Sequence, residues 1–259
     1  MFKTCALDEI LAFMEENPER YFDEREEMAD YEDDESVLAY ASEDCYVISI
    51  PGRRKMRFLV LPKKDRFDLQ ALEDFVNKRS DNFTMQINLD EGEASSLRFN
   101  EPYETHGPIY SLYAAELPED SGERTAGGDI RKLNKSDGRL VRRFEQEDGQ
   151  MMSLDRIFPL LVVDEIGSIL AYFNENNQLV AYASYMPTEF KAAAVDEIYV
   201  LPEFRGQGIG TTLALAMLEA ALDEYGACYW PVAESDEAVS TAEAAGFRQV
   251  AERMTAETF

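Results

Sequence analysis

Three glycines in the segment Arg205-Gly-Gln-Gly-Ile-Gly-Thr211 mark the part of the sequence best suited to chemistry. Apolar, strand-like residues end at Pro202, and apolar residues at helical spacing begin near Ile209. Because glycine lacks a Cβ atom, the main chain here can adopt left-handed angles and approach a ligand closely. The unpaired N–H groups of a helix's first turn favour an anion, so the segment predicts a pyrophosphate-binding loop.

Three phosphate-binding patterns compete for this loop. The dinucleotide pattern G-x-G-x-x-G fails because Thr211 stands where the third glycine should be, and the P-loop fails because no G-K-[ST] follows. The pattern [RQ]-x-x-G-x-[GA] is met by Arg205, Gly208 and Gly210. The alternative without a ligand is a tight turn that only starts a helix. The matched pattern resembles the pyrophosphate loop of the GNAT superfamily of acyl-CoA N-acetyltransferases.

The resemblance extends over about residues 129–259 and includes the strand order, Pro202 after the fourth strand, and Gly246-Phe247 near the end. It implies acetyl-CoA as co-substrate, with pantetheine between a fourth and a fifth strand that splay apart. It also implies direct transfer of the acetyl group to an amine within a ternary complex, where alignment of both reactants contributes much of the rate.

The resemblance implies two sets of cofactor contacts in this sequence. The backbones of Ile198, Tyr199 and Val200 would hold the pantetheine arm and the acetyl carbonyl, and Ser235 would add a hydrogen bond. The Val200 N–H, or one beside it, would polarise the thioester carbonyl as an amine attacks. The loop that would surround the pyrophosphate comprises Arg205, Gly206, Gln207, Gly208, Ile209, Gly210 and Thr211.

A protonated amine cannot attack a thioester, so a base must accept its proton. Asp196 and Glu197 precede the loop on the same predicted strand. Strand alternation sends their side chains to opposite faces, so we expect at most one to face the acceptor. Glu197 is the preferred base, and its alternative role is a solvated or helix-facing carboxylate. Trp230 occupies the fifth-strand position where some relatives carry a glutamate base.

The expected general acid is absent from its usual place. Some relatives carry an asparagine and a tyrosine where this sequence has Ser235 and Ala242. The candidate substitutes are Tyr182, Tyr185 and Tyr229, each of which could instead be a packed strand aromatic. This departure favours a second hypothesis, a non-catalytic acyl-CoA sensor.

The cysteines exclude most metal chemistry. Cys5, Cys45 and Cys228 are widely spaced, and His106 is the one histidine, so we expect no zinc site and no metal cofactor. Cys228 could carry an acetyl group in a ping-pong mechanism, but no histidine neighbours it in sequence to form the thiolate. Reduced thiols predict a cytoplasmic protein.

The second half predicts a mixed α/β sheet with helices on both faces. A helix capped by Ser136 and another over Ser153–Val163 should follow the first strand, and a hairpin should turn at Asn174–Asn177. The predicted strands are 129–133, 168–173, 178–184, 194–201, 227–233 and 247–252, with helices at 208–225 and 237–245.

The first half predicts the same order of elements. Its strands are 37–41, 46–50, 55–61 and 83–89, with helices at 7–16 and 69–78 and an acid-rich stretch over 18–35. No glycine follows Pro62, so a duplicated first copy would have lost its phosphate loop, although chance similarity also explains the short matches. The linker Pro118–Gly128 predicts a break near residue 125, giving an acidic, GNAT-like degenerate domain at 1–125 and a catalytic GNAT domain at 126–259.

Charge limits the partners. With 259 residues and a formal net charge of −27, the chain should repel nucleic acid and attract a cationic amine acceptor; the alternative is that the charge serves solubility alone. No run of apolar residues is long enough to predict a membrane span. The first 17 residues do not resemble a signal peptide. Fused homologous halves favour a monomer, with a homodimer as the alternative.

Overall fold

The chain folds into two compact units. The computed structural model describes residues 1–31, 34–64, 67–88, 96–118, 127–141, 144, 167–190, 192–233 and 235–259. The first unit comprises Met1–Ser111 and Val250–Phe259, and the second comprises Leu112–Gln249. The predicted break near residue 125 lies outside the described residues and stays a prediction, as does the division into 1–125 and 126–259.

The first unit is a sheet with helices on both faces. Its strands are β1 (Lys3–Thr4), β2 (Leu38–Ala41), β3 (Cys45–Pro51), β4 (Met56–Pro62), β5 (Phe83–Ile87), most of β6 (Tyr103–Ala114) and most of β12 (Arg248–Thr258). Its helices are α1 (Leu7–Glu16), α2 (Phe22–Ala29) and α3 (Leu69–Asn77). The strand order is β1-β2-β3-β4-β5-β12-β6, with β4 and β5 parallel.

Strand β4 shows why helices cover both faces of this sheet. Its residues alternate between two cores, because successive side chains point to opposite faces. Phe58 and Val60 pack with Leu72 of α3, whereas Leu59 packs with Ile10 of α1. An apolar residue at nearly every position is therefore the signature of a central strand buried on both sides.

The second unit repeats this arrangement. Its strand order is β11-β10-β9-β8-β7, and its long helix packs on β8, β9 and β10. The elements are β7 (Asp129–Lys132), β8 (Ser168–Phe173), β9 (Leu179–Pro187), β10 (Ala193–Val200), α4 (Ile209–Tyr225), β11 (Cys228–Ala233) and α5 (Asp236–Ala244). The series β2-β3-β4-α3-β5 thus has the same order and the same strand directions as β8-β9-β10-α4-β11. The mixed α/β class and the repeated order agree with the sequence prediction.

Several local predictions were wrong or incomplete. The acid-rich stretch contains helix α2, strand β6 was not predicted, and β12 runs six residues beyond the predicted strand end. Ser136 was predicted to cap a helix, but the N-cap of the short 3-10 helix Lys135–Asp137 is Asn134. The Asn134 side chain accepts a hydrogen bond from the Ser136 N–H. The helix predicted over 153–163 lies outside the described residues. No helix in the described ranges is long and apolar enough to cross a membrane.

Helix α2 places charged side chains inside the first unit. Arg253 of β12 is 7% exposed and forms an ion pair with Asp23, while its Nη2 atom also donates to Ser111 Oγ at 2.6 Å. Its Nη1 atom lies 4.0 Å from Oε1 of Glu24, which is 3% exposed. Burial raises the pKa of Glu24 to about 7, although the charge of Arg253 opposes that rise.

The raised pKa of Glu24 predicts how stability changes with pH. A pKa of about 7 in the folded state, against 4.5 ordinarily, means that the folded chain binds the proton more tightly between these values. Stability should therefore fall as pH rises from about 4.5 to about 7. Replacing Glu24 with glutamine should raise the free energy of unfolding by roughly 2–3 kcal/mol at pH 8 and change it little at pH 4.

Urea unfolding at the two pH values measures this effect. Glu101→Gln removes the same charge from an exposed site and is the matched control. Equal stabilisation by both substitutions at pH 8 would show that net charge, rather than burial of Glu24, sets the pH dependence.

Candidate active site

The glycine loop joins the end of β10 to the start of α4. Gly206 and Gly208 have φ values of +72° and +75°, a region that other residues rarely adopt. Gly208 is the N-cap of α4, and no side chain caps the helix. The first-turn N–H groups therefore have no side-chain cap and can bind an anion, as the sequence predicts. Gly210 lies within α4, where neither a positive φ angle nor a close contact requires a glycine.

Arg205 connects the loop to β10, the strand that precedes it, through a hydrogen bond. Its Nε atom donates to the Val200 carbonyl oxygen at 3.0 Å, and its guanidinium lies 5.6 Å from the centre of the Tyr199 ring. Gln207 Nε2 reaches the Glu203 carbonyl oxygen at 3.4 Å. These contacts fix the loop conformation and leave Arg205 exposed beside the helix start, where its charge favours an anion.

Strands β10 and β11 separate just where a ligand would have to enter. Their register contains two pairs, Ala193 with Cys228 and Ala194 with Tyr229. Beyond these pairs, β10 continues to pair with β9 through Val200. The main chain of β10 over 198–200 therefore has β9 on one edge and, in the described part of the chain, no register partner on the other. The splayed strands implied by the family resemblance are present.

The first unit lacks this opening. Its corresponding strands β4 and β5 stay in register from Met56↔Phe83 to Val60↔Ile87, so no gap separates them. Helix α3 is capped by Asp68, whose carboxylate accepts a hydrogen bond from the Ala71 N–H at 3.0 Å. A negative charge thus occupies the start of α3, where it disfavours the binding of an anion.

The carboxylates that precede the loop share one face of the sheet. The register between β10 and β9 shifts between Val195 and Glu197. Asp196 is therefore an extra residue in β10, and Glu197 pairs with Ser184 of β9. Ser184 Oγ also donates to Asp196 Oδ2 at 3.0 Å. The expectation that strand alternation separates the two carboxylates was therefore wrong. A β-bulge interrupts the alternation, and both side chains reach the side occupied by Ser184.

Aromatic rings line the same face. The rings of Tyr182 and Tyr199 stack with centroids 5.9 Å apart, and Phe144 meets both rings edge-on at 5.8 and 6.1 Å. Tyr182 is 1% exposed. Burial, followed by the interaction with Glu197 and the charge of Asp196, raises the pKa of Tyr182 far above its ordinary value. Its hydroxyl therefore stays protonated, donates a hydrogen bond and is a weak proton donor.

The remaining predicted residues have structural surroundings of their own. Tyr229 is buried at the start of β11, with its ring centroid 4.8 Å from that of Tyr113. Ser235 caps α5 by accepting a hydrogen bond from the Ala238 N–H. Burial raises the pKa of Cys228 to about 12, which opposes the thiolate that a ping-pong mechanism needs.

Ser184 was missed by the sequence analysis. Its signal in the sequence is weak, namely one polar residue near the end of the buried run 179–185. Its importance depends on the bulge in the neighbouring strand, and that bulge is not encoded by any recognisable motif.

Comparisons with known proteins agree with this fold. The model of the acetyltransferase (GNAT) family matches residues 135–247. A GCN5-related N-acetyltransferase from Sphaerobacter thermophilus aligns with a TM-score of 0.59 at 14% identity, over 100% of this chain and 95% of that one. A GNAT-family acetyltransferase from Colwellia psychrerythraea aligns with a TM-score of 0.53 at 13% identity, over 100% of both chains. No curated protein matches the sequence at a significant level.

The fold is that of the GNAT class. Residues 135–247 are a domain of the GNAT acetyltransferase family. The GNAT-like fold extends over the whole chain, since the structural alignments cover both units.

Proposed function

We propose that this protein is an acetyl-CoA-dependent N-acetyltransferase that acts on a primary amine by direct transfer. The observation that carries the proposal is the loop from Gly206 to Thr211, which opens α4 without a side-chain cap beside strands that separate. The residues fit the co-substrate, because the loop offers main-chain N–H groups to a pyrophosphate and the gap beside β10 offers them to a pantetheine amide.

The residues of β10 and the loop have distinct roles in this proposal. The backbones of Ile198, Tyr199 and Val200 hold the pantetheine arm, and a main-chain N–H near Val200 polarises the acetyl carbonyl. When bound, acetyl-CoA supplies a thioester, which is an activated acetyl group. The burial of Cys228 and its raised pKa favour direct attack by the amine over an acetyl-cysteine route.

Glu197 acts as the general base. It accepts one proton from the acceptor's ammonium group, and the neutral nitrogen then bonds to the acetyl carbon as the carbon–sulfur bond breaks. The nitrogen loses its second proton as the amide forms, and the leaving sulfur gains a proton through water. Glu197 is half-buried on the face that carries Tyr182, where a carboxylate is accessible to a small acceptor.

Release of free thiol tests the function directly. The intact protein is incubated with acetyl-CoA and a panel of primary amines, and CoA thiol is measured with a chromogenic disulfide. We expect thiol release that depends on the amine. Binding of acetyl-CoA without release for any amine would instead favour the sensor hypothesis, which Ala242 supports because it replaces the expected acid.

Replacing Glu197 with glutamine should lower kcat about 100-fold and leave the affinity for acetyl-CoA unchanged, because the carboxylate takes the proton and does not touch the pyrophosphate. Steady-state kinetics and titration calorimetry measure the two quantities. Glu243→Gln, at an exposed position of α5, is the control. A kcat within threefold of the wild-type value would mean that another group accepts the proton from the acceptor amine.

A further inference from the structure

Tyr182 of β9 and Glu197 of β10 are diagonal neighbours across the sheet. Tyr182 pairs with Tyr199 and Ser184 pairs with Glu197, so Tyr182 and Glu197 lie on the same face with an offset of two residues. Residues at this offset on antiparallel strands are roughly 7–8 Å apart, a distance that an aromatic and a long side chain can bridge together. The phenol hydroxyl of Tyr182 can therefore reach the Glu197 carboxylate.

Packing holds the ring of Tyr182 in one position. The ring is buried, stacks on Tyr199 with centroids 5.9 Å apart, and meets Phe144 edge-on at 5.8 Å. Contacts on two sides leave the ring no room to swing toward solvent. The hydroxyl is therefore fixed in place before a ligand binds, as a positioning group must be.

The hydroxyl of Tyr182 and the carboxylate of Glu197 form a hydrogen bond. Tyr182 is the donor, because burial keeps its hydroxyl protonated and an ionised carboxylate can only accept. Asp196 and Tyr199 act on the same hydroxyl through charge, and the Asp196 carboxylate accepts instead from Ser184 Oγ at 3.0 Å. Strand β9 thus provides a separate donor for each of the two carboxylates, and Tyr182 serves the one that is proposed to be the base.

A donated hydrogen bond has two effects on a general base. It fixes the direction of the carboxylate, so that the oxygen that takes the proton stands in one place. It also favours the ionised form over the protonated form, and only the ionised form can accept a proton. Loss of the donor should therefore weaken the base without changing the binding of acetyl-CoA, because the carboxylate does not touch the pyrophosphate.

We propose that Tyr182 is a positioning residue, whose hydroxyl orients the Glu197 carboxylate and holds it in the ionised form. This inference rests on the proposed function, in which Glu197 is the general base. It gives Tyr182 a role other than the general acid, because the phenol keeps its own proton throughout. The bonds formed and broken in the transfer are unchanged.

Titration of Glu197 tests the contact without acetyl-CoA or an acceptor. The intact protein is labelled with glutamate that carries carbon-13 at the side-chain carboxyl, and the Glu197 resonance is identified by its absence in Glu197→Gln. Tyr182→Phe removes one hydroxyl and keeps the packed ring. It should move the midpoint of the Glu197 titration to higher pH by about one unit, because the ionised form loses a hydrogen bond. An unchanged midpoint would overturn the proposal.

Tyr46→Phe is the matched control. Tyr46 is a buried tyrosine of the first unit, and its hydroxyl also donates to a glutamate, Glu9 Oε1, at 2.8 Å. Loss of this hydroxyl should leave the midpoint of Glu197 unchanged. An equal shift in both variants would mean that loss of any buried hydroxyl perturbs the fold, and it would overturn the role assigned to Tyr182.

Steady-state kinetics show whether Tyr182 acts through the base. Tyr182→Phe should lower kcat about tenfold, with the KM for acetyl-CoA within about twofold of the wild-type value. In the Glu197→Gln background, Tyr182→Phe should have no further effect on kcat, because the carboxylate that it positions is gone. A further loss of similar size in that background would mean a role in the fold and would overturn the proposal. A shifted midpoint in a protein that releases no thiol would support the contact and count against the proposed function.

Discussion

Gly208→Glu is expected to abolish acetyl-CoA binding, with a loss of affinity of more than 100-fold. Gly208 has a φ of +75°, and a residue with a Cβ costs roughly 1–2 kcal/mol there. The new carboxylate would also stand at the helix start that offers N–H groups to the pyrophosphate, where it repels the ligand's negative charge. Titration of the variant with acetyl-CoA by calorimetry measures the loss.

Gly226 provides a matched control for this substitution. It ends α4 at a φ of +78°, and a Cβ atom there would have nothing within 4 Å. Gly226→Glu therefore brings the same backbone strain and charge to the opposite end of the helix, and it should leave the affinity unchanged. Gly210→Ala should have a small effect, because its Cβ would make ordinary contacts of 3.6 Å with Thr241 and 3.7 Å with Val200. If Gly208→Glu bound acetyl-CoA normally, the loop would not be the pyrophosphate site.

Arg253→Met is expected to destabilise the first unit by about 3–5 kcal/mol, because it leaves buried carboxylates without their counter-charge. Asp23 forms an ion pair with Arg253, and Glu24 lies 4.0 Å from it. The loss is a large part of the roughly 5–15 kcal/mol that stabilises a typical protein. Urea unfolding followed by circular dichroism measures it.

Two further substitutions identify the cause of that loss. Asp23→Asn in the Arg253→Met background removes one of the stranded charges and should restore part of the stability. Arg53→Met removes an exposed arginine and should change the free energy of unfolding by less than about 0.5 kcal/mol. If the double variant were no more stable than Arg253→Met, lost packing of the arginine side chain would explain the effect better than uncompensated charge.

The elements that local sequence patterns specify were the ones predicted well. Helix α4 was predicted to begin at Gly208 and begins at Ile209, because the glycines and the apolar spacing that follows act within one turn. Strands β8 and β9 and the turn between them follow from apolar runs flanking Asn174–Asn177, where Asn177 adopts a φ of +57°. The elements that carry the proposed cofactor-binding main chain could therefore be located in advance.

Helix α2 shows why other elements escaped prediction. Its sequence FDEREEMA has few apolar residues and resembles a solvated acidic stretch. In the fold, Asp23 and Glu24 meet Arg253, a residue more than 200 positions later in the chain. Buried charge of this kind depends on a distant partner, so no local pattern reveals it.

The sequence by itself determined the conformation of the glycine loop, because glycine conformation and the exposed N–H groups of a helix start are local properties. It also determined the fold class, through the periodicity of its apolar residues. Only the tertiary structure decided which carboxylates share a face and where the strands separate. Both features depend on the register between chain segments, and a bulge at Asp196 shifts that register against β9.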